Sequence, residues 1–396
     1  EVGAGAATLR SGRVGFVCRV MRELEAMDTI ESIEVIPIRV PLERLYRGSF
    51  YRMRARCTLI TRIRTVDGIV GEAYNGDTDD EQALIMAIIR DEMAPALIGR
   101  DACNIEGAWE AMLPPSYDQL RDRRLAMQAM ACLDSALWDA FGKRTGQPLY
   151  RLWGGYRDAV PAIGIGGYYG HSDDELRDEV RFFIDQGFGG MKFKVGGMAP
   201  EEDARRLRVA RDFAGPSFVL VCDANQGYTT AQAVAFCRLV EDVGLRWFEE
   251  PCRWYNDHLG MRDVRLITGI PVAAGQSELT RVGARDLIVS GAINVCNYDC
   301  SWGGGPTEWR RVAALAMAYD VQMAHHEESQ ISLHLLASIP HGTYVECFTP
   351  QRDPIYWNMP TNRAQCRDGL MPVPDRPGFG WELDPDYIAK YRVAAP

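Results

Sequence analysis

The chain predicts an α/β fold, a βα barrel preceded by a smaller α+β domain, on three observations. From Pro161 onward the pattern repeats as strand, loop, helix, with strand ends near Ile165, Lys194, Asp223, Glu249, Gln276, Asp299, His326 and Glu346. Successive ends lie roughly 20–30 residues apart, near the pitch of a barrel that spends ~250 residues on eight units. Nearly every end carries a polar or charged residue, where a strand end facing a core would be apolar, since an unpartnered buried charge is costly. Before Gly154-Gly155 the pattern is different, with antiparallel strands first and helices after. Seven or eight parallel strands with helices outside is the economical arrangement, and a doubly wound open sheet is the alternative. No Gly-rich nucleotide fingerprint follows any strand, and Gly303-Gly304-Gly305 lacks the lysine and spacing of a phosphate loop.

At 396 residues the chain exceeds the usual single domain, which suits a large barrel plus a second unit. Apolar residues at 47% and charged residues at 25% are ordinary for a soluble globular enzyme. A net charge of −10 argues against non-specific nucleic-acid binding, which needs a basic footprint. It leaves an anionic substrate open, because local lysines or a metal can reverse the field inside a site. The eleven cysteines are scattered without a CxxC pair, which reads as reduced core thiols of a cytosolic protein, with disulfides as the alternative. No apolar run reaches membrane-spanning length. Residues 1–27 fit no secretory pattern, Met21 and Met27 are candidate natural starts, and this extension is left out of the fold.

Taking the elements in order, Ile30 to about Val40, Cys57 to Ile63 and Ile69 to Ala73 are rich in β-branched residues. Val66-Asp67-Gly68 separates the last two, so the three form an antiparallel meander with a tight Asp-Gly turn. Leu45 to Tyr51 is a polar-aromatic loop with a glycine hinge that suits either plain surface or a lid, and Tyr74 to Asp77 is a second such loop. Asp79 to about Ala96 and Arg121 to Phe141 have helical periodicity, the latter with Ala126, Met130, Leu133, Ala136 and Leu137 on one side. The expected division is therefore a first domain over 28–157, a barrel over 158–353, and a Pro- and aromatic-rich tail over 354–396 folding back on the first domain. Within the barrel, helices are expected at Asp173–Gln186, Pro200–Phe213, Thr230–Val243, Asp257–Thr268, Arg281–Ser290, Pro306–Tyr319 and Ile331–Ile339.

Barrel active sites sit at the carboxyl ends of the strands. Lys192 and Lys194, two apart on a strand, point the same way. Asp223 and Glu249, ending the next two strands, are hard oxygen ligands that select Mg²⁺, or else ion-pair partners of the lysines. Beside a cation and a second ammonium, the Lys194 pKa should fall, which would let it act as a general base. Asp299 and His326 end consecutive units, and an aspartate on one imidazole nitrogen fixes the tautomer and raises basicity at the other. His325 would point to the other side of its strand.

At these residues the chain resembles the enolase superfamily, and within it the mandelate racemase-like (mandelate racemase/muconate lactonizing enzyme) family. Met130 to Gly155 is similar to the family's helix and its exit to the barrel. Lys192-Phe193-Lys194 resembles its KxK motif, Asp223 and Asn225 its DxN motif, and Glu249-Glu250-Pro251 its EEP or EQP motif. Asp299 with Gly303-Gly304, His326, and Glu346 in Tyr344-Val345-Glu346 resemble the family's sixth-, seventh- and eighth-strand residues. The resemblance implies an α+β capping domain on a modified (β/α)7β TIM-like barrel, one Mg²⁺ per subunit, and abstraction of the proton next to a carboxylate through an enediolate. It implies Lys194 as base on one face and His326, supported by Asp299, as acid or base on the other, with Lys192 in the catalytic group. Glu346 would hydrogen-bond the substrate carboxylate, and Asn225 would contact the oxygens at the metal or the substrate hydroxyl. A metal dication and donors aimed at the developing charge lower the barrier by preorganised electrostatics.

One position departs from the family pattern. Where the fifth strand should end in Gly-Glu, this chain has Gly275-Gln276-Ser277-Glu278. Either Glu278 takes over as third metal ligand, pointing the same way as Gln276 if the strand continues, or Gln276 supplies a neutral oxygen. Glu278 is favoured, because two acids alone hold Mg²⁺ with less charge. A base on each face permits two reactions. Protonation of a leaving β-hydroxyl by His326 gives an acid-sugar dehydratase, the preferred reading, and return of the proton to the opposite face gives a racemase or epimerase. A non-catalytic hydroxy-acid-binding member is the third reading. Tyr46 and Arg47 in the first loop are candidate substrate contacts, Arg47 for a distal carboxylate. The expected partners are a small-molecule carboxylate, a hydroxy acid or sugar acid, and other copies of the chain in a homo-oligomer.

Overall fold

The computed structural model describes residues 28–76 and 81–394. The extension before Asp28, Asp77 of the second loop, and Asp79-Asp80 at the start of the first expected helix therefore lie outside the described residues. The first unit is a three-stranded antiparallel sheet in the order β1 (Ile30–Arg47), β2 (Arg52–Thr65), β3 (Val70–Asn75). The Asp-Gly turn joins β2 to β3, with Gly68 at φ 93 donating its N–H to the Thr65 carbonyl at 2.9 Å. That left-handed backbone is what glycine tolerates and other residues resist. β1 and β2 run further than the β-branched runs suggest. Pairing slips between Pro41 and Tyr46 and resumes with Tyr46 opposite Met53 and Arg47 opposite Arg52. A proline lacks the ladder N–H, so the strand bulges there and continues rather than ending. The first loop shrinks to Gly48–Tyr51.

The helix Arg123–Thr145 lies across this sheet. It opens on Asp122, whose side chain accepts from Arg124 N, and closes on Gly146 at φ 65. Its approach to β3 is close enough that a Cβ on Gly71 would fall 2.1 Å from the Ala136 carbonyl. The same helix reaches the barrel: Asp134 accepts from Thr307 N at 2.8 Å, and Trp138 Nε1 donates to Thr307 Oγ1 at 2.9 Å. The two units are thus stitched by buried hydrogen bonds as well as apolar contact.

Among the described residues eight parallel strands make the second unit: β4 (Ala159–Gly166), β5 (Gly190–Lys194), β6 (Val219–Asp223), β7 (Phe248–Glu249), β8 (Val272–Ala274), β9 (Val295–Cys296), β10 (Gln322–Met323) and β11 (Val345–Phe348). They pair in sequence order, and β11 returns to β4. Thr343 N donates to the Met323 carbonyl at 2.8 Å and Met323 N to His341 at 2.9 Å, which joins β10 to the start of β11 and closes the ring. Closure removes the open-sheet alternative. Inside the ring Ile163, Val221, Trp247, Ala273, Val295 and Ala324 fill the lumen, so the barrel is a packed core with its mouth above them. The helices outside fall within a few residues of expectation. Two open on reciprocal caps, Ser172 with Glu175 and Thr229 with Gln232.

The tail does two things, not one. Ile355, Met359 and Ile388 pack on Ile36, Ile38, Val40 and Ile60 of the first sheet, and Val393 N bonds to the Pro37 carbonyl. Between those contacts β12 (Leu370–Pro372) pairs antiparallel with β4 of the barrel. No helix among the described residues is long and apolar enough to cross a membrane. Cys132, Cys222, Cys237, Cys252, Cys296, Cys300 and Cys347 are buried thiols.

Candidate active site

Three strands set one half of the barrel mouth in register, with Lys194, Asp223 and Glu249 as consecutive Cα partners on β5, β6 and β7. Lys194 Nζ lies 2.6 Å from Asp223 Oδ2. Lys192 Nζ lies 2.9 Å from Glu249 Oε1 and 2.7 Å from Glu346 Oε1 of β11. All five side chains are buried. Asn225 donates to Asp223 Oδ2 at 3.0 Å from Nδ2, and to Oδ1 at 2.8 Å from its backbone. Burial alone would lower both lysines, but the carboxylates outweigh it: Glu249 and Glu346 hold Lys192 above the usual lysine range, and Asp223 holds Lys194 well above it. Among these side chains alone, an anion at 2.6 Å outweighs a second ammonium farther off; the fall expected at Lys194 belongs to a site that also holds a cation. Burial, reinforced by Asp223 and Glu346 and opposed by Lys192, pushes Glu249 up to about 8.

The donor set fits a hard divalent cation. Asp223, Glu249 and Glu346 put three buried carboxylates against two ammoniums, a deficit of positive charge. Asn225 Oδ1 is a buried acceptor without a hydrogen-bond partner. Gln276, nine-tenths buried beyond β8, carries a carbonyl oxygen held by Asn297 Nδ2 at 3.1 Å. Oxygen donors of this kind suit Mg²⁺.

The other half is built on loops. Asp299 lies beyond β9, and its Oδ2 sits 2.9 Å from His326 Nδ1, beyond β10. Ser301 holds the second Asp299 oxygen, by its backbone at 2.8 Å and its hydroxyl at 2.5 Å. The other nitrogen, His326 Nε2, lies 3.3 Å from Glu327 Oε1. Burial works against the imidazolium, but Glu327 and Asp299 more than compensate and raise His326 to about 9. His325 faces away as expected, its Nε2 accepting from Cys300 N at 3.1 Å.

A cavity of about 630 Å³ joins the halves. Lys194, Asn225, Gln276 and His326 line it, while Lys192, Asp223, Glu249, Asp299 and Glu346 are absent from its wall, each held by the contacts above. Glu278 is elsewhere. Its Oε1 lies 3.8 Å from His258 Nε2, and it does not line the cavity. The alternation that placed it beside Gln276 fails because β8 stops at Ala274 and Gly275 turns the chain at φ 139. Tyr46 and Arg47 also miss the cavity. Tyr46 is buried edge-on against Tyr168 at 5.1 Å, and Arg47 is an exposed strand end whose carbonyl accepts from Tyr169 N. The hairpin reaches the cavity one step later, through Tyr51, Arg52, Met53 and Arg54. Of these, Tyr51 has Lys194 Nζ 5.7 Å from its ring centre. Tyr74 of the second loop is buried against Trp381.

Sequence reasoning passed over Glu327, Glu250 and Arg352, all of which line the cavity. Glu327 had a signal, an acid next to a candidate acid–base histidine. Glu250, the second acid of Glu249-Glu250-Pro251, accepts from Gln226 at 3.1 Å and Ser277 at 2.8 Å, and burial with Asp223 nearby raises it to about 7. Arg352 had none, since only tertiary folding brings it to Tyr168 OH at 3.2 Å and to Glu327 at 3.8 Å.

The fold and the site define a βα-barrel protein with Lys194 and His326 lining one cavity and buried oxygen donors beside it. Residues 175–387 match the enolase C-terminal domain-like family and residues 32–154 the mandelate racemase / muconate lactonizing enzyme N-terminal domain. The chain belongs to the mandelate racemase/muconate lactonizing enzyme family of the enolase superfamily. It is 31% identical over 365 residues to the 3,6-anhydro-alpha-L-galactonate cycloisomerase of Streptomyces coelicolor, covering 92% of this chain and 99% of that one. It is 30% identical to the arabinonate dehydratase of Saccharolobus solfataricus, covering 84% and 90%. A mandelate racemase/muconate lactonizing enzyme from a marine actinobacterium, solved in complex with magnesium, superposes with a TM-score of 0.88 at 50% identity, covering 92% of this chain and 99% of that one.

Proposed function

We propose that the protein is a Mg²⁺-dependent dehydratase of an acid sugar, with Lys194 as base and His326 as acid. The observation that carries this reading is His326 between two carboxylates, Asp299 at 2.9 Å and Glu327 at 3.3 Å, which favours its protonated form at neutral pH. Asp223, Glu249 and the Gln276 oxygen would hold the cation. When bound, it supplies Lewis-acid charge where the substrate carboxylate gathers the electron pair. The curated relatives include a sugar-acid dehydratase and a sugar-acid cycloisomerase, which supports an acid sugar as substrate.

Lys194 takes the proton from the carbon next to the carboxylate, and the C–H pair moves onto the carboxylate oxygens as the enediolate. Glu346 is fixed by Lys192 and the Glu327 amide, and to hydrogen-bond those oxygens it would have to carry a proton and turn to the cavity. The pair then forms the double bond to the neighbouring carbon, whose C–O bond breaks. The departing oxygen takes the Nε2 proton of His326 and leaves as water. The enol that remains becomes the 2-keto-3-deoxy acid. For Lys194 to begin as a free amine, Asp223 must turn its charge away from it.

The test is a panel of sugar acids incubated with protein and Mg²⁺ in D₂O. A 2-keto-3-deoxy product establishes the dehydratase. Deuterium at the α-carbon without keto product replaces it with the racemase or epimerase, and no exchange despite Mg²⁺ binding leaves only a hydroxy-acid-binding role.

A further inference from the structure

We propose that Glu327 is a positioning residue that holds His326 as the imidazolium and so commits that face of the cavity to giving a proton. The inference rests on the reading of His326 as acid. Asp299 occupies Nδ1, so the exchangeable proton is on Nε2, and there Glu327 Oε1 is the partner at 3.3 Å. Glu327 is itself held from three sides. Its amide donates to Glu346 Oε2 at 3.0 Å, and its carboxylate lies 3.8 Å from Arg352 and 3.7 Å from Arg56 of β2. Its backbone is left-handed at φ 52, followed by Glu328 at φ 45, a conformation that non-glycine residues keep only when their surroundings impose it. That turn brings the side chain back along the cavity wall to the imidazole instead of onto the helix Ser329–Ala337 that follows.

The other groups around the pair do not replace Glu327. Lys192 on β5 opposes the imidazolium, Glu250 beyond β7 favours it from farther away, and neighbouring His325 is itself held below the usual histidine range by burial. Trp302 covers the ring at 5.2 Å and carries no charge. Burial works against the Glu327 carboxylate, but His326 first, and then Arg352, Arg56 and Lys194, keep it ionised and lower it to about 2. An imidazole flanked by ionised carboxylates at both nitrogens loses its proton with difficulty. It can still pass the Nε2 proton to a leaving hydroxyl whose C–O bond is breaking, but it is poorly placed to take one from carbon. Glu327 thereby disfavours His326 as the base that opens the reaction from its own face, and leaves it the proton donor, whether to a leaving hydroxyl or to carbon.

The experiment is an NMR titration of histidine-labelled protein with saturating MgCl₂ and no substrate, using His326→Asn to assign the signal. Glu327→Gln keeps the shape and leaves Arg56 with Glu328 and Asp353. It is expected to weaken proton binding at His326 by about tenfold or more, one pH unit of midpoint, and to move the alkaline limb of product formation down by the same interval. A shift of less than about threefold overturns the proposal, because a merely structural glutamate would not set this midpoint. If the glutamine variant does not fold, Glu327→Asp, which keeps the charge but shortens the reach, must lower the midpoint by a smaller measurable step, and an unchanged midpoint again overturns it. The titration needs no substrate, so failure of every sugar acid would remove the dehydratase reading without altering this outcome.

Discussion

The two halves of the barrel mouth carry comparable chemistry on different scaffolds. In β5 to β7, Lys194, Asp223 and Glu249 are the last residues of their strands and sit in direct register. In β8 to β10, Gln276, Asp299 and His326 lie beyond strands that end at Ala274, Cys296 and Met323. Strand pairing fixes the first group to within a hydrogen bond. The second is aimed by loop turns, some in left-handed backbone, and by side-chain partners such as Ser301 on Asp299. The first half, with Glu346, sets three buried carboxyl groups against two ammoniums, and the second holds Gln276, where the resemblance led one to expect an acid.

The sharpest break between the halves is kinetic. Lys194→Ala should remove α-deuterium exchange from the isomer it serves, a loss of about 10²–10⁴-fold, while His326→Asn should abolish keto product and leave that exchange measurable. Equal loss of both signals in both variants would show that the halves do not act separately. Next in size is stability. Lys192→Met leaves Glu249 and Glu346 buried without their ammonium and should cost about 3–5 kcal/mol in denaturant unfolding, whereas His326→Asn should cost less, because Asp299 keeps Ser301 and Glu327 keeps Arg56 and Arg352. In pH, the His326 acid is present below about 9 and lost above it, so product formation should fall as pH rises through that value. A fall beginning below neutrality would mean that the loop half does not hold its proton. The smallest effect separates Gln276 from Glu278. By calorimetry, Gln276→Glu should tighten Mg²⁺ binding by roughly tenfold through added ligand charge, and Glu278→Gln should leave it unchanged. The reverse pattern would restore Glu278 as the ligand.

Legibility in the sequence followed the same division. The lysine pair, Asp223 and Glu249 were readable because period-two side chains on parallel strands place them without further information. Asp299 with His326 was readable as a pair of types, and their 2.9 Å contact agrees with it. Glu278 was misread because the alternation was carried past the end of β8. Tyr46 and Arg47 were misread because β1 continues through a bulge to Arg47 and moves the loop onto Tyr51 to Arg54.

By itself the sequence determined the repeating strand–helix pattern, the antiparallel meander before it, and the chemical types at the strand ends. Each is written in local periodicity and turn residues. Tertiary structure alone decided that the ring closes, that the tail divides its contacts between sheet and barrel, and that Glu278 turns to His258. It alone also set Glu327 against His326 with Arg56 and Arg352 behind it. Those outcomes depend on contacts between residues far apart in the chain and on loop backbone that no periodicity encodes.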